Sequence, residues 1–227
     1  MKIWIQSTPR SGSTNFYGAL SNILQLEWEA EEPFNLQVIK EHPKRYPQTF
    51  GNFYLKPTTE NFIVKNQIWH WPDDLVKNNP FELKNNQWYK SNKFDEYIEF
   101  HKKIRQVITH PILLGRKSVR DSALSLSYAA KNSNWTLNYI SHETSVGARW
   151  IKYATFQKNI LIELAETVYK KDIIWYEDVF SEDENIRRNI LKKINLYKFL
   201  SLAQVRQYVK TTNPIHRYKL NNHPYTI

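Results

Sequence analysis

Apolar positions along the chain fall into short unbroken runs separated by helically spaced sets. Residues 2–7 contain Ile3, Trp4 and Ile5 in succession and predict a buried strand, with a polar loop from Pro9 to Thr14 after it. From Asn15 to about Leu26, Phe16, Leu20, Ile23 and Leu24 recur at helical spacing. An acidic patch follows (Glu27, Glu29, Glu31, Glu32), then Pro33 and Phe34. Residues 61–65 predict a second buried strand. The stretch 66–93, rich in Asn, Trp, Pro and Lys, reads as long loops with short helices shaping a substrate mouth. Phe94, Tyr97, Ile98 and Ile104 predict a helix over 94–106, and residues 112–115 a third strand ending at Arg116. A helix over 119–131 has Ser118 as N-cap and Asp121 as the return half of a capping box. Further on come a long helix (144–170), a fourth strand (172–175) and a helix (184–195). The tail from Tyr208 shows no clear period.

Strands alternating with helices predict an α/β fold, a mainly parallel sheet flanked by helices on both faces, in a single domain over 1–227. Such sheets bind ligands at the carboxyl ends of their strands.

Composition narrows the picture. The 227 residues are enough for one domain with a sizeable core, and 41% hydrophobic with 15% aromatic residues argues against a disordered chain. Absence of cysteine removes disulfides, thiolate metal sites and cysteine nucleophiles. With neither a signal-peptide pattern nor an apolar run of ~18 residues, a soluble, cytoplasmic protein without membrane association is expected. The net charge of +10 predicts affinity for anions: nucleic acid, a phosphorylated cofactor or an acidic substrate.

Two segments carry candidate anion chemistry. In Thr8, Pro9, Arg10, Ser11, Gly12, Ser13 and Thr14, small residues let backbone N–H groups turn inward at a helix N-terminus. Arg10 adds charge, and Ser13 and Thr14 add hydroxyls. The competing reading is an ordinary strand–helix turn. A Walker A loop is excluded, because the Gly-Lys-Ser/Thr ending is missing. In the second segment Arg116, Lys117 and Arg120 cluster at a strand end, and Ser125 lies two turns into the following helix. There a guanidinium fork and a hydroxyl can share one phosphate; the alternative is a solvated basic turn.

The first loop resembles the 5′-phosphosulfate loop of the PAPS (3′-phosphoadenosine-5′-phosphosulfate)-dependent sulfotransferases, written Pro-Arg/Lys-Ser-Gly-Ser/Thr-Thr. Arg116 and Ser125 are similar to the nine-residue Arg…Ser version of that family's 3′-phosphate motif, found in its bacterial-type branch. Tyr176, Glu177 and Asp178 after an apolar strand resemble its Tyr-Glu-Asp segment. The resemblance implies a P-loop NTPase-like sulfotransferase fold that transfers sulfuryl from PAPS to a hydroxyl or amine and releases 3′,5′-ADP. Such a transfer requires no metal in principle, and none is expected, because the seven His show no tight ligand spacing. The resemblance also implies that Pro9, Arg10, Ser11, Gly12, Ser13, Thr14, Arg116, Ser125 and Tyr176 bind the cofactor, with Arg10 stabilising the leaving group and Tyr176 bordering the adenine. The family's Gly-rich C-terminal cofactor loop is absent; Arg217 or Lys219 can replace its charges, or form a plain basic tail.

Sulfuryl transfer also needs a base. Glu32 follows the first helix, where bacterial-type relatives place a catalytic Glu, and burial beside Pro33 and Phe34 is expected to raise its pKa. His70, between Trp69 and Trp71, is the competitor, and Lys65 a candidate sulfuryl-oxygen donor. For both bases the bland reading is surface charge or packing. The acceptor class stays open among small molecules, carbohydrates and peptides. Two rival functions remain. A P-loop kinase or NTPase would use Asp178 for Mg²⁺. A nucleic-acid binder would use the basic, aromatic composition, but the charges are scattered and no recognised module occurs.

Overall fold

A computed structural model describes residues 1–26, 28–35, 61–72, 79–131 and 145–214. Its strands are β1 (Lys2–Ser7), β2 (Trp28–Glu31), β3 (Phe62–Gln67), β4 (Phe81–Lys84), β5 (Gln87–Lys90), β6 (His110–Gly115) and β7 (Ile173–Trp175). Its α-helices are α1 (Ser13–Leu24), α2 (Phe94–Val107), α3 (Val119–Lys131), α4 (Ala148–Leu164), α5 (Tyr176–Val179), α6 (Glu184–Lys193) and α7 (Leu202–Thr211). Five strands form one sheet in the order β2-β3-β1-β6-β7, each neighbouring pair parallel.

Residue alternation along β1 divides the core. Ile3 and Ile5 face a cluster with Phe16 and Leu20 of α1, Leu191 of α6 and Tyr208 of α7. Trp4 faces the other way, among Phe62, Val64, Tyr97 and Phe100, with Leu161 and Leu164 of α4. Both faces are covered, which is why the strands read as unbroken apolar runs. β1 lies between β3 and β6, so strand order diverges on either side of it. The carboxyl end of such a strand opens a crevice between loops that leave in opposite directions.

Four expectations are corrected. The acidic patch includes a strand: β2 pairs with β3, bringing Glu31 into register with Lys65. In the expected loop-and-helix stretch 66–93, β4 and β5 make an antiparallel hairpin. Asn85 (φ 50) and Asn86 (φ 58) supply its left-handed turn, a conformation asparagine tolerates. Residue 208 falls inside α7, whose Val205, Tyr208 and Val209 are buried and whose Ser201–Gln204 capping box is complete. Ser118 does cap α3, accepting from the Asp121 N–H at 3.1 Å. The Ser118 N–H, however, goes to Glu177 and not to Asp121.

The 144–170 helix appears as α4 followed by a π-helical turn, Ala165–Tyr169, and residue 144 is outside the described residues. Residues 73–78, Arg217 and Lys219 are also outside them. Among the described residues no helix is long and apolar enough to cross a membrane.

Candidate functional site

The loop leaving β1 is tied down on both sides. The Thr8 N–H donates to Leu114 O on β6 (3.1 Å), and Ser7 Oγ donates to Asn66 O on β3 (3.1 Å). Pro9 is buried, and the buried Ser11 closes the loop on itself by donating to Thr8 O at 2.7 Å. Arg10 (φ 61) and Gly12 (φ 71) both adopt the left-handed conformation, a strained state for arginine of the kind that gathers at functional sites. Ser13 begins α1, and no side chain caps that helix at Gly12. Its N-terminus therefore keeps the character of an anion cradle.

Three segments distant in sequence meet at this loop. Arg10 Nε donates to Ser125 Oγ on α3 at 2.9 Å. A Cβ at Gly12 would stand 2.7 Å from the Tyr176 ring, so that ring lies directly on the loop. The Arg116 guanidinium stacks over the same ring, 4.4 Å from its centroid. Arg116 Nη1 donates to Asp121 O (3.1 Å), and its Nε is buried without a partner. Burial lowers the pKa of both arginines, and Arg116 lowers that of Arg10 further, whereas Glu177 and Asp121 partly offset the shift at Arg116. Like charges held together in a partly desolvated place favour an anion between them.

The N-terminus of α3 is different. Glu177 accepts from the backbone N–H of Lys117 (3.0 Å) and Ser118 (3.4 Å), and Asp178 pairs with Lys117 Nζ at 2.6 Å. A carboxylate already occupies this helix end, so an anion at this segment would have to be met by side chains.

The two candidate bases share a second cluster. Lys65, 1% exposed, reaches Glu32 Oε1 (2.6 Å), Glu31 Oε1 (2.7 Å) and Thr14 Oγ1 (3.0 Å). Thr14 donates to Glu31 at 2.8 Å, which joins this cluster to the phosphate-loop candidate. Glu32 (φ 52) also accepts from Gln67 (2.5 Å) and Asn35 (2.7 Å). Burial acts to raise its carboxyl pKa, but Lys65, His70 and the hydrogen bonds outweigh that and hold it at about 2. The upward shift expected from burial alone is reversed because the adjacent lysine is buried as well. His70 Nδ1 lies 3.8 Å from Glu32 Oε2 without a hydrogen-bond partner. Burial, opposed by Glu32, lowers its pKa to about 4 and keeps the ring neutral at pH 7.

The tryptophans of the expected mouth are packed. Trp69 stacks on Tyr153 of α4 (centroids 5.3 Å apart), and Trp88 of β5 lies 5.2 Å from each of these rings. They fasten the hairpin to α4. Sequence reasoning underrated Lys65, although a lysine inside an apolar strand is a readable signal, and missed Glu31 and Glu177. No family model, curated protein or solved structure matches this chain.

Proposed function

We propose that the chain is a PAPS-dependent sulfotransferase with a P-loop-like phosphosulfate site. The observation that carries this reading is the convergence on one ring: Tyr176 touches Gly12 and lies under Arg116, while Arg10 bonds Ser125. Contacts between all three motifs of the resemblance, beside the strand at which the sheet order diverges, support this reading.

In this reading the 9–14 backbone and the start of α1 take the 5′-phosphosulfate, and Arg10 offsets charge on the oxygen bridging sulfur and phosphorus. Arg116 and Ser125 take the 3′-phosphate, and Tyr176 borders the adenine. Binding exchanges the Arg10–Ser125 bond for bonds from each to ligand oxygens. The acceptor oxygen or nitrogen attacks sulfur, the bond from sulfur to the bridging oxygen breaks, and 3′,5′-ADP leaves. Glu32 and His70 are the candidate takers of the acceptor proton, weak bases at about 2 and about 4 as they stand, and Lys65 and Thr14 join them to the loop.

A Mg²⁺-dependent phosphotransferase draws no support from Asp178, whose carboxylate is engaged by Lys117. The test is thermal stabilisation by 3′,5′-ADP against 5′-AMP, followed by transfer of labelled sulfuryl from PAPS to a panel of small-molecule and carbohydrate acceptors. A ligand at a hundred times its Kd adds about 2.7 kcal/mol. A larger shift with 3′,5′-ADP is expected, and equal shifts would overturn the assignment.

A further inference from the structure

A small cleft lies between the end of β6, the first turns of α3, and α4. Its polar lining is Thr8, Arg116, Ser122 and Lys158. Arg116, one of these lining residues, has a buried Nε without a hydrogen-bond partner. Lys158 stands on α4, one turn before Leu161, whose side chain is fixed in the core. Its Nζ donates to Lys117 O at 2.8 Å and lies 5.1 Å from the centroid of the Trp175 ring. Among the described residues no carboxylate is within ion-pair distance of it, since Asp178 is paired with Lys117 and Glu177 is bound to the start of α3. Two cations thus line the cleft: Arg116, whose charge Glu177 and Asp121 offset in part, and Lys158, which has no carboxylate partner among the described residues.

We propose that Lys158 is the second cation of a phosphate-monoester site in this cleft and sets the preference for a 3′-phosphorylated adenosine. The inference rests on the sulfotransferase reading and adds to it a residue outside its three motifs. A phosphate monoester carries a charge of about −1.5 to −2 at neutral pH, more than Arg116 alone neutralises. A guanidinium offers a fixed fork, whereas an ammonium on a flexible stem turns to whichever oxygen remains. Thr8 and Ser122, which also line the cleft, carry hydroxyls. The charge expected from a C-terminal loop is supplied here from α4.

The experiment measures the affinity of 3′,5′-ADP and 5′-AMP for the unaltered protein, Lys158→Met and Lys158→Arg by titration calorimetry. Lys158→Met is expected to weaken 3′,5′-ADP at least tenfold, to leave 5′-AMP within about twofold, and to be largely rescued by Lys158→Arg. Equal weakening of both ligands would make Lys158 a structural tie to the Lys117 carbonyl and overturn the proposal. An unchanged preference in Lys158→Met would overturn it as well while sparing the sulfotransferase reading. If the unaltered protein itself binds the two nucleotides equally, that reading falls and the proposal falls with it.

Discussion

Arg10 Nε and Ser125 Oγ are 2.9 Å apart, a direct bond between the turn after β1 and the second turn of α3. The side chain offered for the phosphosulfate and the hydroxyl offered for the 3′-phosphate thus restrain each other. Ser125→Ala should weaken 3′,5′-ADP by roughly tenfold or more, the worth of a hydrogen bond to a charged group, with 5′-AMP little affected. Titration calorimetry measures both.

Arg10→Ala removes the charge nearest the proposed leaving oxygen. Losing such an electrostatic donor costs about 10²–10³ in turnover, so sulfuryl transfer from PAPS should fall by that factor. Circular dichroism should be unchanged, and the KM for the acceptor should move far less than kcat.

Gly12 combines φ 71 with a Cβ direction that ends 2.7 Å from Tyr176 and 2.9 Å from Phe180. Gly12→Ala should cost about 1–3 kcal/mol in strain. At roughly 2–4 °C per kcal/mol for a chain of this size, Tm should fall by several degrees in differential scanning fluorimetry. Loss of nucleotide binding should accompany it, because Tyr176 must shift.

Lys65 is the counter-charge of two carboxylates and is itself almost inaccessible. Lys65→Met should destabilise the fold by ~3–5 kcal/mol in urea titrations at pH 7, the usual cost of leaving a buried charge unpaired. It should also release the Glu32 carboxyl upward from about 2. Combining it with Glu32→Gln should recover part of the loss, since one unpaired carboxylate is then gone.

Three groups make the fold acid-sensitive in a defined direction. Burial lowers His101 to about 3 and His70 to about 4, so the unfolded chain takes up their protons more readily. Stability is therefore complete above about pH 6.5 and declines as pH falls toward 4 and then 3, at ~1.4 kcal/mol per tenfold change in proton affinity. Glu32, lowered to about 2, adds a contribution present above its ordinary pKa of 4.5 and lost below it. Urea midpoints should be flat from pH 7 to 8 and fall steadily below 6.5. His101→Phe should flatten part of that slope, at the cost of the bond between His101 and the Tyr169 hydroxyl.

The architecture was readable where one period dominated. Ile3-Trp4-Ile5 and Leu113-Leu114 are buried on both sides and could only be central strands. β2 was hidden because its alternating glutamates look like a solvated patch; what makes it a strand is the register of Glu31 with Lys65, a tertiary fact. The hairpin was signalled by Asn85-Asn86 and α7 by Ser201…Gln204, local chemistry that a search for apolar periodicity passes over. Of the candidate site residues, Arg10 bonds Ser125 and Arg116 stacks on Tyr176. Sequence reasoning misjudged the direction of the Glu32 shift, because that depends on a lysine one strand away.

Gly115 bears on the cleft without being a donor. A Cβ there would approach Leu161 to 2.9 Å and Trp175 to 3.1 Å, so its missing side chain sets how near α4 rests to the end of β6. A larger residue there would have to displace the Leu161 and Trp175 side chains that pack against it. The spacing between β6 and α4 is thus set in part from a position that bears no charge.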